Sequence, residues 1–183
     1  LRVAEESPVP FGLLYWNSDP TSLPGPLYSW YLDHTYMGNK LVKAGATEVC
    51  GTGLDLGQID VPTYAMGALE DHIVPWRGAY QSVRHLGGKV RFCLGGGGHI
   101  AGTMNPATKN RRNFWVGVDG KLPADSEQWL ADAKANKGSW WTDWAKWLKP
   151  FGGKLVASPR SLGSKRYQPI EPAPGRYVRE RSV

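Results

Sequence analysis

In the stretch Leu94-Gly95-Gly96-Gly97-Gly98-His99-Ile100-Ala101-Gly102, a histidine follows four consecutive glycines at the end of an apolar, strand-like run at residues 89–94. Glycine tolerates positive φ and lets other groups approach closely, so such a loop can present the imidazole of His99 at the end of a strand. A glycine-rich turn with a purely structural histidine fits the same residues. A second polar cluster upstream favours a functional histidine.

That second cluster is Glu70-Asp71-His72, which follows another short apolar run at residues 63–67. Between the two runs, residues 76–86 have the apolar spacing of a helix. A strand, a helix and a strand form a βαβ unit, and its parallel strands end at one edge of the sheet, where α/β proteins place their sites. The sequence therefore predicts an α/β fold in which Asp71 and His99 meet.

Asp71 and His99 have the chemistry of a catalytic pair. A histidine base needs a carboxylate to fix its tautomer, and it removes the proton of a nucleophile. Two neighbours are alternatives: Glu70 is a rival acid, and His72 is a rival base or a residue of the substrate pocket.

The nucleophile is not evident in the sequence. Nucleophile elbows have the pattern G-x-S-x-G or G-x-C-x-G, and neither occurs within the 183 residues. Cys50 lacks a glycine two positions earlier, and Cys93 lies inside a predicted strand, so both are interpreted as structural. Two cysteines form no disulfide framework and indicate a reducing, intracellular setting.

Composition limits the class of protein. With 41% hydrophobic and 21% charged residues, the chain is typical of one globular domain or part of a larger one. No apolar run approaches the roughly 20 residues of a membrane-spanning helix. The four histidines have no spacing that indicates a metal site.

Basic residues are concentrated in two places. From residue 151 onward there are seven Lys or Arg and two Glu, which predicts an extended basic surface chain. The run Lys109-Asn110-Arg111-Arg112 lacks the interleaved aromatics of a nucleic-acid site. It fits either a solvated loop or a site for an anionic substrate group, such as a phosphate of coenzyme A.

Three further helices are predicted outside the βαβ unit. An aromatic-rich helix runs from about residue 26 to 42; its Tyr31, together with Trp16, could line an acyl channel. A second helix, capped by Asp125 or Ser126, is expected to end near residue 138. A third, capped by Ser139, carries a tryptophan stripe that we expect to pack on the domain.

Six motifs resemble the C-terminal part of polyhydroxyalkanoate synthases, most closely the class I enzymes. The resemblance covers nearly the whole chain and rests on the following stretches: Tyr15-Trp16-Asn17-Ser18-Asp19, Leu23-Pro24-Gly25-Pro26, Glu70-Asp71-His72-Ile73-Val74-Pro75-Trp76, Gly98-His99-Ile100-Ala101-Gly102, Gly138-Ser139-Trp140-Trp141 and Ile170-Glu171-Pro172-Ala173-Pro174-Gly175-Arg176-Tyr177-Val178.

The resemblance implies an α/β-hydrolase-type fold, of which only the C-terminal portion is present. Residues 1–150 would be the end of the catalytic domain, with 1–45 as the end of the cap region and the return to the core. Residues 151–183 would be the basic tail. The implied activity is polymerisation of (R)-3-hydroxyacyl-coenzyme A into polyester with release of coenzyme A, which is a leaving group and not a cofactor.

Position by position, the resemblance implies that Asp71 and His99 are catalytic and that Trp16 has a pocket or packing role. In the family, the histidine activates a cysteine and the aspartate is implicated in activating the 3-hydroxyl group. That cysteine is expected before Leu1, so the chain alone should be inactive. Gly96 and Gly97 replace other small residues, which predicts a looser loop.

The resemblance also implies a homodimer that contacts the growing polyester and the surface of cytoplasmic granules, without nucleic acid, membrane span or metal.

Two other functions remain open. One is an α/β-hydrolase that acts as an esterase or depolymerase, with water as the acceptor. The other is a non-catalytic module that binds granules through the tryptophan face and the basic tail.

Overall fold

A computed structural model describes residues 20–120 and 122–180, so Trp16 lies outside the described residues. The chain divides into two compact units, which we describe separately. One comprises Asp33–Leu155, and the other comprises the described parts of Leu1–Leu32 and Val156–Val183. Within the described residues, no helix is long and apolar enough to cross a membrane.

The larger unit contains a short hairpin and a four-stranded mixed sheet. The hairpin is β1 (Glu48–Val49) with β2 (Thr52–Gly53). The sheet has the order β3 (Thr63–Ala68), β4 (Val90–Gly95), β5 (Asn113–Val116) and β6 (Lys134–Lys137). The helices are α2 (Trp76–Val83), α3 (His99–Thr103), α4 (Ser126–Asp132) and α5 (Trp141–Leu148).

β3 and β4 are parallel and are connected through α2, as the sequence predicts. Their register pairs Thr63 with Val90 and Ala68 with Gly95, so both strands end at the same edge of the sheet. β5 and β6 then continue the sheet in antiparallel fashion. A mixed sheet with helices agrees with the predicted α/β class, while the α/β-hydrolase-type fold stays a prediction.

An aromatic core covers one face of the sheet. Successive strand residues point to opposite faces, and Phe92 on β4 contacts Tyr80 of α2 and Trp129 of α4, with ring centroids 5.1 and 5.0 Å apart. Trp76 lies 6.4 Å from Trp129 and closes the cluster. These rings and Leu94 are almost fully buried, so hydrophobic burial fixes α2 and α4 on the sheet.

The opposite face carries α5. Tyr64 of β3 contacts Trp140 and Trp147, with ring centroids 6.1 and 5.4 Å apart. Asp143 of α5 accepts hydrogen bonds from Arg91 Nη2 at 2.6 Å and Nε at 2.9 Å. The predicted packing of the tryptophan stripe is therefore correct for these two rings, whereas Trp144 and Leu148 of the stripe are exposed.

Two predicted helices are wrong in length. The aromatic-rich helix begins at Gly25 and its α-helical part, α1 (Gly25–Leu32), is followed by a π-helical turn and a 3₁₀ turn, Asp33–Met37 and Lys40–Val42. The helix that Asp125 caps ends at Asp132, because the following residues form β6. Pairing with β5 outweighs the local helix propensity of residues 133–137.

The smaller unit contains α1 and the basic C-terminal chain. Its described residues after Val156 form no strand and only one 3₁₀ turn, Tyr177–Arg179. Nearly all of them are exposed, and the division of the chain into a domain at 1–150 and a tail at 151–183 stays a prediction. Within this chain, Arg176 Nε lies 3.2 Å from Glu171 Oε1.

Candidate active site

The structure brings Asp71 and His99 together where β3 and β4 end. His99 Nδ1 donates a hydrogen bond of 2.8 Å to Asp71 Oδ2, across 28 residues of sequence. The side chain of Asp71 is 7% exposed, whereas that of His99 is 42% exposed. With its proton on Nδ1, the neutral imidazole presents Nε2 as a free base. A buried acid behind an open histidine is the arrangement of a catalytic pair.

The backbone after Asp71 fixes its carboxylate. Oδ1 accepts hydrogen bonds from the amides of Ile73 and Val74, both at 2.9 Å. Removal from water raises the pKa of Asp71, but the bonds from Val74, His99 and Ile73 outweigh it, so the pKa lies below its ordinary value. Both oxygens are thus occupied, and the carboxylate stays charged at neutral pH.

The glycine loop is tightly held. The amides of Leu69 and Glu70 donate to the carbonyls of Gly95 and Gly97, both at 2.9 Å, and this joins the two functional loops. Gly97 has φ +119°, and a Cβ on Gly96 would lie 2.6 Å from Asn113 Oδ1. This packing requires glycine at positions 96 and 97, and the expected loosening of the loop stays a prediction.

Two indole groups hold α3, the helix that begins at His99. Trp140 Nε1 donates to the carbonyl of Gly102 at 3.1 Å, and Trp141 Nε1 donates to that of Thr103 at 3.0 Å. Both carbonyls belong to the last turn of α3, where no later helical amide can bond them; that of Thr103 also accepts from the amide of Asn105 at 3.1 Å. The spacing of the tryptophans indicates only packing, so this role cannot be predicted from the sequence.

Ser139, a buried serine, fixes the segment that carries both indoles. Ser139 Oγ accepts a hydrogen bond from the amide of Trp141 at 3.1 Å, as the predicted cap requires. The same hydroxyl donates to the carbonyl of Asn105, and the amide of Ser139 donates to Asn110 Oδ1 at 2.9 Å. The segment after α3 and the start of α5 are thereby fixed to each other.

Known proteins share nearly all of this chain. The chain is 53% identical over 176 residues to the poly(3-hydroxyalkanoate) polymerase subunit PhaC of Cupriavidus necator, which is 96% of this chain and 30% of that relative. It is 39% identical over 177 residues to PhaC of Rhizobium meliloti, 97% of this chain and 28% of the relative. This chain belongs to the poly(3-hydroxyalkanoate) polymerase family. Poly(3-hydroxyalkanoate) polymerase 2 of Ectopseudomonas oleovorans is 39% identical over 173 residues, 94% of this chain and 30% of that relative.

The chain therefore spans about 30% of the length of these polymerases. No family profile matches the chain. The family membership agrees with the resemblance on which the sequence predictions rest.

The other residues that the sequence predicts for the site lie in different parts of the chain. The carboxylate of Asp71 binds His99 and not the adjacent His72, which is exposed on the same loop. Glu70 is also exposed, and its backbone amide donates to the carbonyl of Gly97. Tyr31 lies on α1, in the other unit, and Trp16 lies outside the described residues. Their roles in a substrate pocket stay predictions.

The two cysteines are in very different environments. Cys50 is exposed in the turn of the β1–β2 hairpin with φ +51°. Cys93 is buried in β4, and burial raises the pKa of its thiol to about 12. A thiol so rarely ionised is a poor nucleophile. The described residues also contain no group of three or more His, Cys, Asp or Glu that could hold a metal ion.

Exposed apolar residues follow both Asp71 and His99 along the chain. Ile73 and Val74 follow Asp71, and Ile100 and Met104 follow His99; each of the four is half exposed or more. Exposed apolar groups that cluster around open polar atoms are typical of sites for apolar ligands. This apolar rim, residues 73, 74, 100 and 104, suits an aliphatic acyl chain.

Proposed function

We propose that this chain supplies the histidine and the aspartate of a poly(3-hydroxyalkanoate) polymerase, an acyltransferase of α/β-hydrolase-type fold. The substrate is a (R)-3-hydroxyacyl-coenzyme A thioester, and the products are polyester and coenzyme A. The observation that carries the proposal is the 2.8 Å bond between Asp71 and His99 at the edge of the sheet. Membership in the polymerase family and the apolar rim support the choice of substrate.

In the proposed mechanism, His99 Nε2 takes the proton of a cysteine thiol that lies outside residues 1–183. The thiolate attacks the thioester carbonyl, the carbon–sulfur bond to coenzyme A breaks, and the proton on His99 passes to the departing thiolate. The acyl group is then bound to the cysteine. Asp71 holds the tautomer and stabilises the imidazolium.

Chain elongation requires a second proton transfer. The 3-hydroxyl group of one unit attacks the acyl-cysteine while a base takes its proton; the carbon–sulfur bond to the cysteine breaks, and the base returns the proton to the cysteine thiolate. Asp71 already accepts three hydrogen bonds, and its side chain is 7% exposed. The geometry therefore favours His99 Nε2 as this base, with Asp71 acting through it. Contacts with the polyester, granule association and a homodimer belong to the same proposal.

The test uses the complete polymerase encoded by the open reading frame that contains this chain. We expect His99→Ala to abolish both covalent acylation by 3-hydroxybutyryl-coenzyme A and polymer formation. His72→Ala is the matched control, because His72 is exposed on the neighbouring loop and does not bind Asp71. We expect it to keep most of the activity. Undiminished acylation of the His99 variant contradicts the proposal, and release of coenzyme A without polymer indicates a hydrolase.

A further inference from the structure

An open cavity of about 790 Å³ lies beside the catalytic loop. Its lining includes the cationic side chains of Arg112 and Lys137 and the amide side chains of Asn110, Asn113 and Asn136. No carboxylate stands among the described residues that line it. Cations and amide N–H donors are the groups that bind phosphate oxygens.

The two cations are available for a ligand. Among the residues that the structure describes, Arg112 and Lys137 form no ion pair with a carboxylate, unlike Arg91 and Arg77. Two of the amides have structural contacts: Asn110 Oδ1 accepts from Ser139, and Asn136 Nδ2 donates to the carbonyl of Lys134. The cavity therefore carries two positive charges that nothing described here neutralises.

The backbone at this cavity is strained. Asn110 has φ +42° and Arg112 has φ +71°. Asparagine tolerates the left-handed region, but arginine rarely adopts it. Strain of this kind concentrates at functional sites, where the surrounding structure holds it in place. Here it directs the chain so that Arg112 lines the cavity.

The cavity lies at the same edge of the sheet as His99. Asn113 pairs with Lys137 in the sheet, and the amide of Gly96 donates to the carbonyl of Asn113 at 2.8 Å. Arg112 Nη1 lies 2.7 Å from the position that a Cβ on Gly97 would occupy. The guanidinium therefore lies directly against the loop, two residues before His99.

We propose that this cavity binds the phosphate groups of the nucleotide end of the acyl donor, with Arg112 and Lys137 as the anion-binding residues. The inference rests on the proposed function, because coenzyme A is the anionic part of that substrate. Arg112 offers a planar fork that can donate two hydrogen bonds to one phosphate. The adjacent loop then receives the thioester end.

The first experiment measures binding to the complete polymerase by isothermal titration calorimetry. The probes are coenzyme A, adenosine 3′,5′-bisphosphate, inorganic phosphate and adenosine. We expect Arg112→Met and Lys137→Met each to weaken binding of the bisphosphate about tenfold or more, since each removes a charge-assisted hydrogen bond. Lys109→Met and Lys134→Met are the matched controls, since these lysines lie nearby without lining the cavity, and they should change binding less than about twofold.

Circular dichroism confirms that each variant is folded, and Arg112→Lys provides a second test at the strained position. This variant keeps the charge but loses the fork, so we expect intermediate binding. Equal weakening by the control lysines shows a diffuse electrostatic effect and overturns the proposal. Competition by inorganic phosphate as strong as that by the bisphosphate overturns the assignment to a nucleotide.

The second experiment separates this inference from the proposed function. In the complete polymerase, Arg112→Met should raise KM for the coenzyme A thioester about tenfold. It should lower kcat/KM for an N-acetylcysteamine thioester, which has no phosphate, by a much smaller factor. His99→Ala should bind coenzyme A normally and form no acyl-enzyme. If coenzyme A binding depends on Arg112 but neither the parent enzyme nor any variant is acylated, the proposed function fails while the phosphate site stands. An equal loss with both thioesters overturns the site.

Discussion

Replacement of Asp143 by alanine tests how α5 is held against the sheet. The carboxylate accepts bonds from Arg91 Nη2 at 2.6 Å, Arg91 Nε at 2.9 Å and the hydroxyl of Tyr64 at 3.0 Å. The side chains of Arg91 and Asp143 are only 20% and 17% exposed. The variant leaves Arg91 paired only with Asp119 and leaves the phenol of Tyr64 without its acceptor.

Removing one partner of a largely buried ion pair costs about 3–5 kcal/mol, because the other charge stays buried. Since Asp119 still neutralises part of the charge on Arg91, we expect the lower end, about 3 kcal/mol, for Asp143→Ala. Because α5 begins next to Trp140 and Trp141, the same variant should also weaken their contacts with α3.

The assay is urea unfolding of the 183-residue chain, followed by far-ultraviolet circular dichroism. Glu127→Ala is the matched control: its partner Arg77 lies 2.5 Å away, but the two side chains are 53% and 61% exposed. An exposed pair contributes about 0–1 kcal/mol. If Asp143→Ala lowers the free energy of unfolding no more than Glu127→Ala does, the argument from burial is refuted.

Three further predictions follow from single positions. Gly97→Ala should lower the free energy of unfolding by about 1–3 kcal/mol, because Gly97 has φ +119° and its Cβ would meet a guanidinium. Gly98→Ala is the control: the nearest neighbour of its Cβ would be 3.6 Å away, so it should cost less than about 1 kcal/mol. Equal losses in urea unfolding would contradict this prediction. At pH 8, Ellman's reagent should titrate the exposed Cys50 in the native chain and reach Cys93, with its pKa of about 12, only after unfolding. Because its pKa is lowered in the folded chain, the carboxylate of Asp71 stabilises the fold above the ordinary carboxyl pKa, and this stabilisation is lost as the pH falls through the lowered value. Urea unfolding at several pH values should therefore show that the free energy of unfolding falls less steeply with acid in Asp71→Asn than in the parent chain. Parallel curves would argue against this prediction.

Sequence patterns correctly predict those elements in which local pattern and tertiary packing agree. The apolar runs at residues 63–67 and 89–94 are strands, because both are buried in the sheet and no competing periodicity interferes. Asp71 and His99 meet because parallel strands end at one edge, a consequence of topology that the order strand–helix–strand already contains. The family membership was also available from motifs.

Other features depend on partners distant in sequence and could not be predicted from local patterns. Residues 134–137 form a strand because β5 offers an edge to pair with, although the local pattern predicts a helix. The indoles of Trp140 and Trp141 hold the helix of His99 through carbonyls 38 residues away, which no spacing rule shows. Arg112 and Lys137 share one cavity because the sheet places Asn113 beside Lys137. Local propensity acts over a few residues, whereas these contacts exist only once the sheet has formed.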